Sequence, residues 1–191
     1  YLLKVDPFNQ PNVTESKERT LEILKNWGTR ESLPPTFEDS DFASFADFKA
    51  STPSDFLRRF LTKVNEDGYI ALMAYLDRIG ESELAAIRKN IADYSRRPTT
   101  FGWGPRFLHS TGQFHKGGPL VGSFVQITVE SSRQLPIPQH GIGFERLVMA
   151  QALGDGLALR SRNLPFMRIH IKDRKTGLPM FIQLVRELAT S

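Results

Sequence analysis

YIALMAYL, residues 69–76, is the stretch on which the fold turns. Eight apolar or aromatic residues follow the turn signal Asp67-Gly68 without a polar break. A run this short and continuous, with no polar alternation, predicts a strand buried on both faces, as in a parallel sheet covered by helices. What flanks it agrees. SELAAIRKNIADY (82–94) places Leu84, Ile87, Ile91 and Tyr94 at helical spacing, and TTFGWGPRFLH (99–109) reads as a strand region broken by glycine and proline. SFVQITV (123–129) is a further strand, GFERLVMAQALGDGLALRSRN (143–163) a helix with Phe144, Leu147, Val148 and Gln151 along one side, PFMRIHI (165–171) a strand, and LPMFIQLVRELA (178–189) a last helix.

Upstream, YLLKVDP (1–7) reads as a strand and Val13–Trp27 as a helix, with Asn12 and Glu15 in a capping-box pattern. Thr52 and Pro53 open a short helix that carries Phe56, Phe60 and Val64 on one face. Residues 28–53, acidic and rich in proline, serine and phenylalanine, read as an insertion or long connection whose phenylalanines dock on the body. Strands alternating with helices predict one α/β domain over 1–191: a doubly wound, mainly parallel sheet with helices on both faces, a three-layer sandwich. Ligands of such sheets bind at the carboxyl ends of the strands.

Composition narrows the function classes. No apolar run is long enough to span a membrane, and the N-terminus lacks the order of a signal peptide. The absence of cysteine excludes disulfides and thiolate metal sites, so a cytoplasmic location is expected. A net charge of +4 favours anionic ligands weakly and is too evenly spread to argue for nucleic acid. Neither a G-x-G-x-x-G nor a G-x-x-x-x-G-K-[ST] sequence occurs, which disfavours a nucleotide-binding domain.

Two places hold residues suited to chemistry. HSTGQFHKGGP (109–119) crowds two histidines, a lysine, two hydroxyls and three glycines behind a strand. Glycines admit close backbone approach to a ligand, hydroxyls and Lys116 donate to oxygen ligands, and histidines exchange protons near neutral pH. The expectation is a polar rim of Ser110, Thr111, Gln113, His115 and Lys116 at a strand's carboxyl end, with His115 as an acid or base. A glycine-rich turn with solvent-exposed histidines is the plain alternative. Lys17 falls on the stripe of Val13, Leu21 and Leu24 and must either snorkel to water or be held toward a site. His140 reads as a loop residue and His170 as a strand residue with a satisfied ring. Glu145 lies in a helix first turn, where a carboxylate is favoured in any case. His-x5-His without a carboxylate at ligand spacing does not make a metal site, and none is expected.

DPFNQPNVTESK (6–17) resembles the C-terminal signature of phosphoglucose isomerases: Phe8, Asn9, Gln10, Val13 and Lys17 keep its spacing. GPRFLHSTGQFHKGGP (104–119), the strand SFVQIT after it and AQALGD (150–155) resemble the last domain of bifunctional transaldolase/phosphoglucose isomerases. The resemblance implies interconversion of glucose 6-phosphate and fructose 6-phosphate through ring opening and an enediol, without metal or cofactor. It implies an active-site role in ring opening for Lys17 and a substrate contact for Gln10. The family's base, usually a glutamate, is not located by these motifs. Its phosphate loop and active-site arginine belong to an upstream sugar-isomerase domain. The implied partners are a sugar phosphate and upstream domains of the same polypeptide, with a homo-oligomer also open. A non-catalytic sugar-phosphate-binding or assembly module is the alternative function.

Overall fold

In a computed structural model, residues 11–27, 34–131 and 134–188 are described. The strand expected at 1–7, and with it Gln10, lies outside them. Helix α1 (Pro11–Lys25) leads to a short β pair, β1 (Phe37–Glu38) and β2 (Phe42–Phe45), and then to α2 (Pro53–Leu61). The stretch 69–76 forms β3 (Tyr69–Tyr75). It is followed by a 3-10 turn, α3 (Ile87–Ser95) and β4 (Thr99–Trp103), then α4 (Thr111–Gly117) and β5 (Gly122–Val129). The chain closes with α5 (Phe144–Arg160), β6 (Phe166–Ile171) and α6 (Gly177–Leu188).

The six strands make one sheet in the order β1-β2-β6-β5-β3-β4. β3 pairs in parallel with β4 on one side and β5 on the other, and β5 pairs in parallel with β6. β2 runs antiparallel along β6, with Phe42 opposite Ile171 and Phe45 opposite Arg168. The fold is therefore the expected mainly parallel α/β sandwich. Residues 37–45 are not an appendage: β1 and β2 extend the sheet at its β6 edge. The reading as an insertion missed this because both strands are short and the second, FASF, breaks alternation with two small residues. The docking of phenylalanines is seen, since Phe42 is in the core and Phe37 and Phe48 pack against it.

Two apolar layers sandwich the sheet. One joins Phe56, Leu57 and Phe60 of α2, Ile87 and Ile91 of α3, and Phe181, Ile182 and Val185 of α6 with Ile70, Leu72, Val125 and Ile127 of the sheet. Burying each such large side chain contributes about 2 kcal/mol. Thr52 caps α2 as expected, accepting from the Asp55 N–H at 3.0 Å.

The opposite layer is smaller and more polar. Ala71, Met73, Tyr75 and Phe124 of the sheet meet Phe107, Leu108, Ala152 and Leu159, with α1 packed outside α5. Gly154 lets those helices close up: a Cβ there would stand 3.2 Å from the Thr20 backbone nitrogen. The inner face of α5 is thus mainly Ala150, Ala152, Gly154, Asp155, Ala158 and Leu159; of the predicted Phe144, Leu147, Val148 and Gln151 side, Val148 packs against this layer and Phe144 is exposed. Small residues win because two helix backbones must approach. The capping box at Asn12 does not form either. Asn12 lies inside α1 and accepts from Gln113 Nε2 at 2.6 Å, while Glu15 pairs with Arg19 and Arg162.

Candidate functional site

The crossover from β3 to β4 runs toward one edge of the sheet, and that from β5 to β6 toward the other. The strand order therefore reverses between β3 and β5, where a crevice opens at the carboxyl ends. A cleft of about 260 Å³ lies there. Tyr75 ends β3, Val129 ends β5, Ser131 follows it, and Phe144, Glu145, Val148 and Met149 come from the first turns of α5. Leu135 and Arg174 complete the lining from the loops after β5 and β6.

Local geometry sets each group. Gly104 lets the Tyr75 ring seat, because a Cβ there would lie 2.7 Å from the ring, and Phe107 meets the same ring edge-on at 5.6 Å. The Tyr75 hydroxyl is buried without a hydrogen-bond partner among the described residues. Burial, with a smaller push from the Asp155 carboxylate, raises its pKa well above that of an ordinary phenol. Glu145 accepts the Leu135 N–H at 3.2 Å, and the Phe144 N–H donates to the Leu135 carbonyl at 2.9 Å. These bonds, with Ile137 N–H to the Ile142 carbonyl at 2.9 Å, fold the chain before α5 into a small hairpin beside the cleft. Arg174 Nε stands 3.2 Å from Glu81 Oε1, an ion pair without hydrogen-bond alignment. The cleft thus offers a carboxylate, a shared guanidinium and aromatic faces, while the Tyr75 hydroxyl points into the core. These are groups that hold hydroxyls and a carbonyl.

The predicted rim at 109–119 is a correction. Those residues form the end of a 3-10 turn and then α4, which runs toward the start of β5 and away from the strands' carboxyl ends. Ser110 and Thr111 are exposed, but His115 and Lys116 are buried. Lys116 Nζ bonds Asp155 Oδ1 at 2.5 Å and Ser16 Oγ at 2.9 Å, tying α4 to α5 and α1. Its side chain has no solvent exposure, and that of Asp155 is 1% exposed. Burial pushes the Asp155 pKa up, with Lys116 opposing. His115 sits among Phe124, Tyr69 and Phe107 at ring distances of 5.0, 5.9 and 6.4 Å. Burial, aided by the Lys116 charge, lowers its pKa to about 4, so it is a neutral core residue at physiological pH. Gln113 bonds Asn12. The density of polar residues that suggested a ligand serves instead to join three helices.

Lys17 is also corrected. The face of α1 that meets α5 carries Val13, Ser16 and Thr20, and Lys17, one residue on from Ser16, is exposed. It sits on the half of α1 beside the C-terminus of α5, where Glu15 meets Arg162 at 2.5 Å, while the cleft is at the α5 N-terminus. The structure does not bring Lys17, His115 and Lys116 to one ligand. His170 is satisfied as expected, bonded to Thr128 Oγ1 at 3.0 Å and Glu130 Oε2 at 3.1 Å, and His140 lies in an exposed turn. Tyr75, Glu145 and Arg174 were missed as a set. In the sequence Glu145 reads as an ordinary first-turn carboxylate. The one available signal was their common place after strand ends.

No protein-family model matches the chain, and no curated protein does. Among solved structures it is similar to a hypothetical protein, TT0462, from Thermus thermophilus, with a TM-score of 0.51 and 16% identity over 71% of this chain. The match spans 36% of that protein's length, and the likeness concerns the fold alone. Among the described residues no helix is long and apolar enough to cross a membrane, and no group of His, Asp or Glu could hold a metal ion.

Proposed function

We propose that this chain is the α/β ligand-binding portion of a sugar-phosphate aldose–ketose isomerase polypeptide acting on glucose 6-phosphate and fructose 6-phosphate. The observation that supports this reading is the cleft at the β3/β5 switch point, with Glu145, Arg174 and Tyr75 on its walls. The sugar's hydroxyl and carbonyl end fits that donor set: a carboxylate accepts from hydroxyls, and a guanidinium donates to a carbonyl or enediolate oxygen. Glu145 is the carboxylate placed to exchange a proton with a carbon-bound hydrogen there. Catalysis through Lys17 or His115 is not part of the proposal, since one is exposed away from the cleft and the other is buried among aromatic rings.

That same separation favours a second reading, a sugar-phosphate-binding module whose chemistry is completed by other domains. Titration of fructose 6-phosphate into the chain, followed by amide shifts, tests the common element. Saturable binding with shifts at Tyr75, Ser131 and Glu145, weakened about tenfold in Glu145→Gln, is expected, since a hydrogen bond to a charged group is worth about 1.5–3 kcal/mol. Absence of binding at millimolar sugar phosphate, or equal binding by Glu145→Gln, refutes the cleft as the site.

A further inference from the structure

The two edges of the sheet differ. At one, β1 is two residues long, and its Glu38 pairs with Lys172 at 2.6 Å. A short, charged edge of this kind resists the addition of further strands. At the other, β4 reads TTFGW, five residues without a charge or a proline. No strand among the described residues lies outside it.

The backbone of β4 shows what would meet that edge. The Ile70 N–H donates to the Pro98 carbonyl at 2.9 Å, and the Gly104 N–H to the Ala74 carbonyl at 2.8 Å. With Leu72 in register with Phe101, these bonds turn the N–H and carbonyl groups of Thr100 and Gly102 toward β3. Those of Thr99, Phe101 and Trp103 therefore point outward, one donor and one acceptor apiece, and only an extended backbone repeats at the spacing that satisfies them. Phe101 and Trp103 stand half-buried on the face covered by α3, edge to face at 4.9 Å. Alternate side chains of an added strand would lie against this pair.

Cations frame the strand. Arg96 and Arg97 precede it and Arg106 follows it, and none of the three is in an ion pair among the described residues. Arg96 and Arg106 are exposed, and Arg97 donates only to the Arg96 carbonyl, at 3.4 Å. An uncharged ladder between cations fits a segment that is apolar in its middle and acidic at both ends. A second copy fits it less well. Antiparallel pairing of β4 with itself sets Phe101 opposite Phe101 and brings Arg96 and Arg97 of each copy toward Arg106 of the other, like charge against like.

We propose that the open edge of β4 docks an extended, acidic-ended segment of a partner protein, which adds to the sheet as a further strand. No β4 residue lines the β3/β5 cleft, so this docking edge stands or falls apart from the isomerase reading.

The test is titration of the whole chain with the blocked peptide acetyl-Asp-Glu-Val-Thr-Val-Thr-Val-Glu-Asp-amide, read by amide shifts and amide hydrogen exchange. Saturable shifts confined to 96–106 are expected. Exchange is expected to slow at Thr99, Phe101 and Trp103 and to stay as in the free protein at Thr100 and Gly102. Of two probes N-methylated at the valines or at the threonines, one is expected to lose binding at least tenfold, because only one set of N–H groups faces β4. A probe with lysine in place of each acid is expected to bind at least tenfold more weakly. Arg96→Gln/Arg106→Gln, at exposed positions, is expected to weaken binding about fivefold at low salt with an unchanged melting temperature. Absence of binding at millimolar peptide, equal binding of the lysine-ended probe, or shifts without the alternating protection overturns the proposal. Protection of Thr99, Phe101 and Trp103 before peptide is added overturns it as well. That result assigns the edge to residues 1–10 in a monomer or to a second copy in a dimer, which sedimentation separates.

Discussion

Replacing Lys116 by methionine removes the ammonium that faces Asp155 and leaves a carboxylate with essentially no solvent exposure. Its Oδ2 already has no hydrogen-bond partner among the described residues, and only Oδ1 contacts Lys116. The orphaned acid escapes by taking up a proton, and the cost of that escape depends on pH. An unfolded aspartate titrates near 3.9, so keeping it neutral at pH 7 costs at most three pH units at 1.36 kcal/mol each, about 4 kcal/mol. At pH 5 the same ceiling is about 1.5 kcal/mol. Breaking a buried pair by removing one partner costs about 3–5 kcal/mol, in the same range. Urea denaturation of wild type and Lys116→Met at both pH values is expected to show a difference near 3–4 kcal/mol at pH 7 and roughly 1–2 kcal/mol at pH 5. The double variant Lys116→Met/Asp155→Leu, which leaves no buried charge, is expected to recover most of the loss and to show no such pH dependence. A pH-independent loss below about 1 kcal/mol would show that the pair is hydrated and that α4 is not anchored through it.

Two further outcomes follow from the same helix layer. His115 is neutral in the fold and charges on unfolding, so stability is present above pH 6.5 and is lost as pH falls toward about 4. From pH 7 to pH 5 the loss from this group is about 2 kcal/mol, and His115→Leu is expected to remove that portion of the pH dependence in parallel denaturation curves. At Gly154, alanine gains about 1 kcal/mol of helix propensity but stands 3.2 Å from the Thr20 nitrogen, so its melting temperature is expected near wild type. Gly154→Val is expected to lose about 1–3 kcal/mol by forcing α1 from α5, and unchanged thermal melting would show that the helices are not tightly apposed.

The sequence by itself determined the architecture, because the signals that carry it are local. The unbroken run 69–76, the alternation of short apolar segments with helical spacing, and Thr52-Pro53 at a helix start each act within a few residues. Burial of a strand on both faces is written into that strand alone. What each polar residue meets is not. HSTGQFHKGGP has the composition of a ligand loop, yet Lys116 meets Asp155, 39 positions away, and Ser16, 100 positions away, so its role is decided by packing of three helices. Lys17 shared a stripe with leucines only until the axis of α5 chose Ser16 and Thr20 as the buried side. β2 becomes a strand because β6 offers it a ladder, and β1 because β2 does, a long-range gain that four and two residues do not announce. Tyr75, Glu145 and Arg174 come from three segments and share a cleft only because β3, β5 and β6 end at one edge.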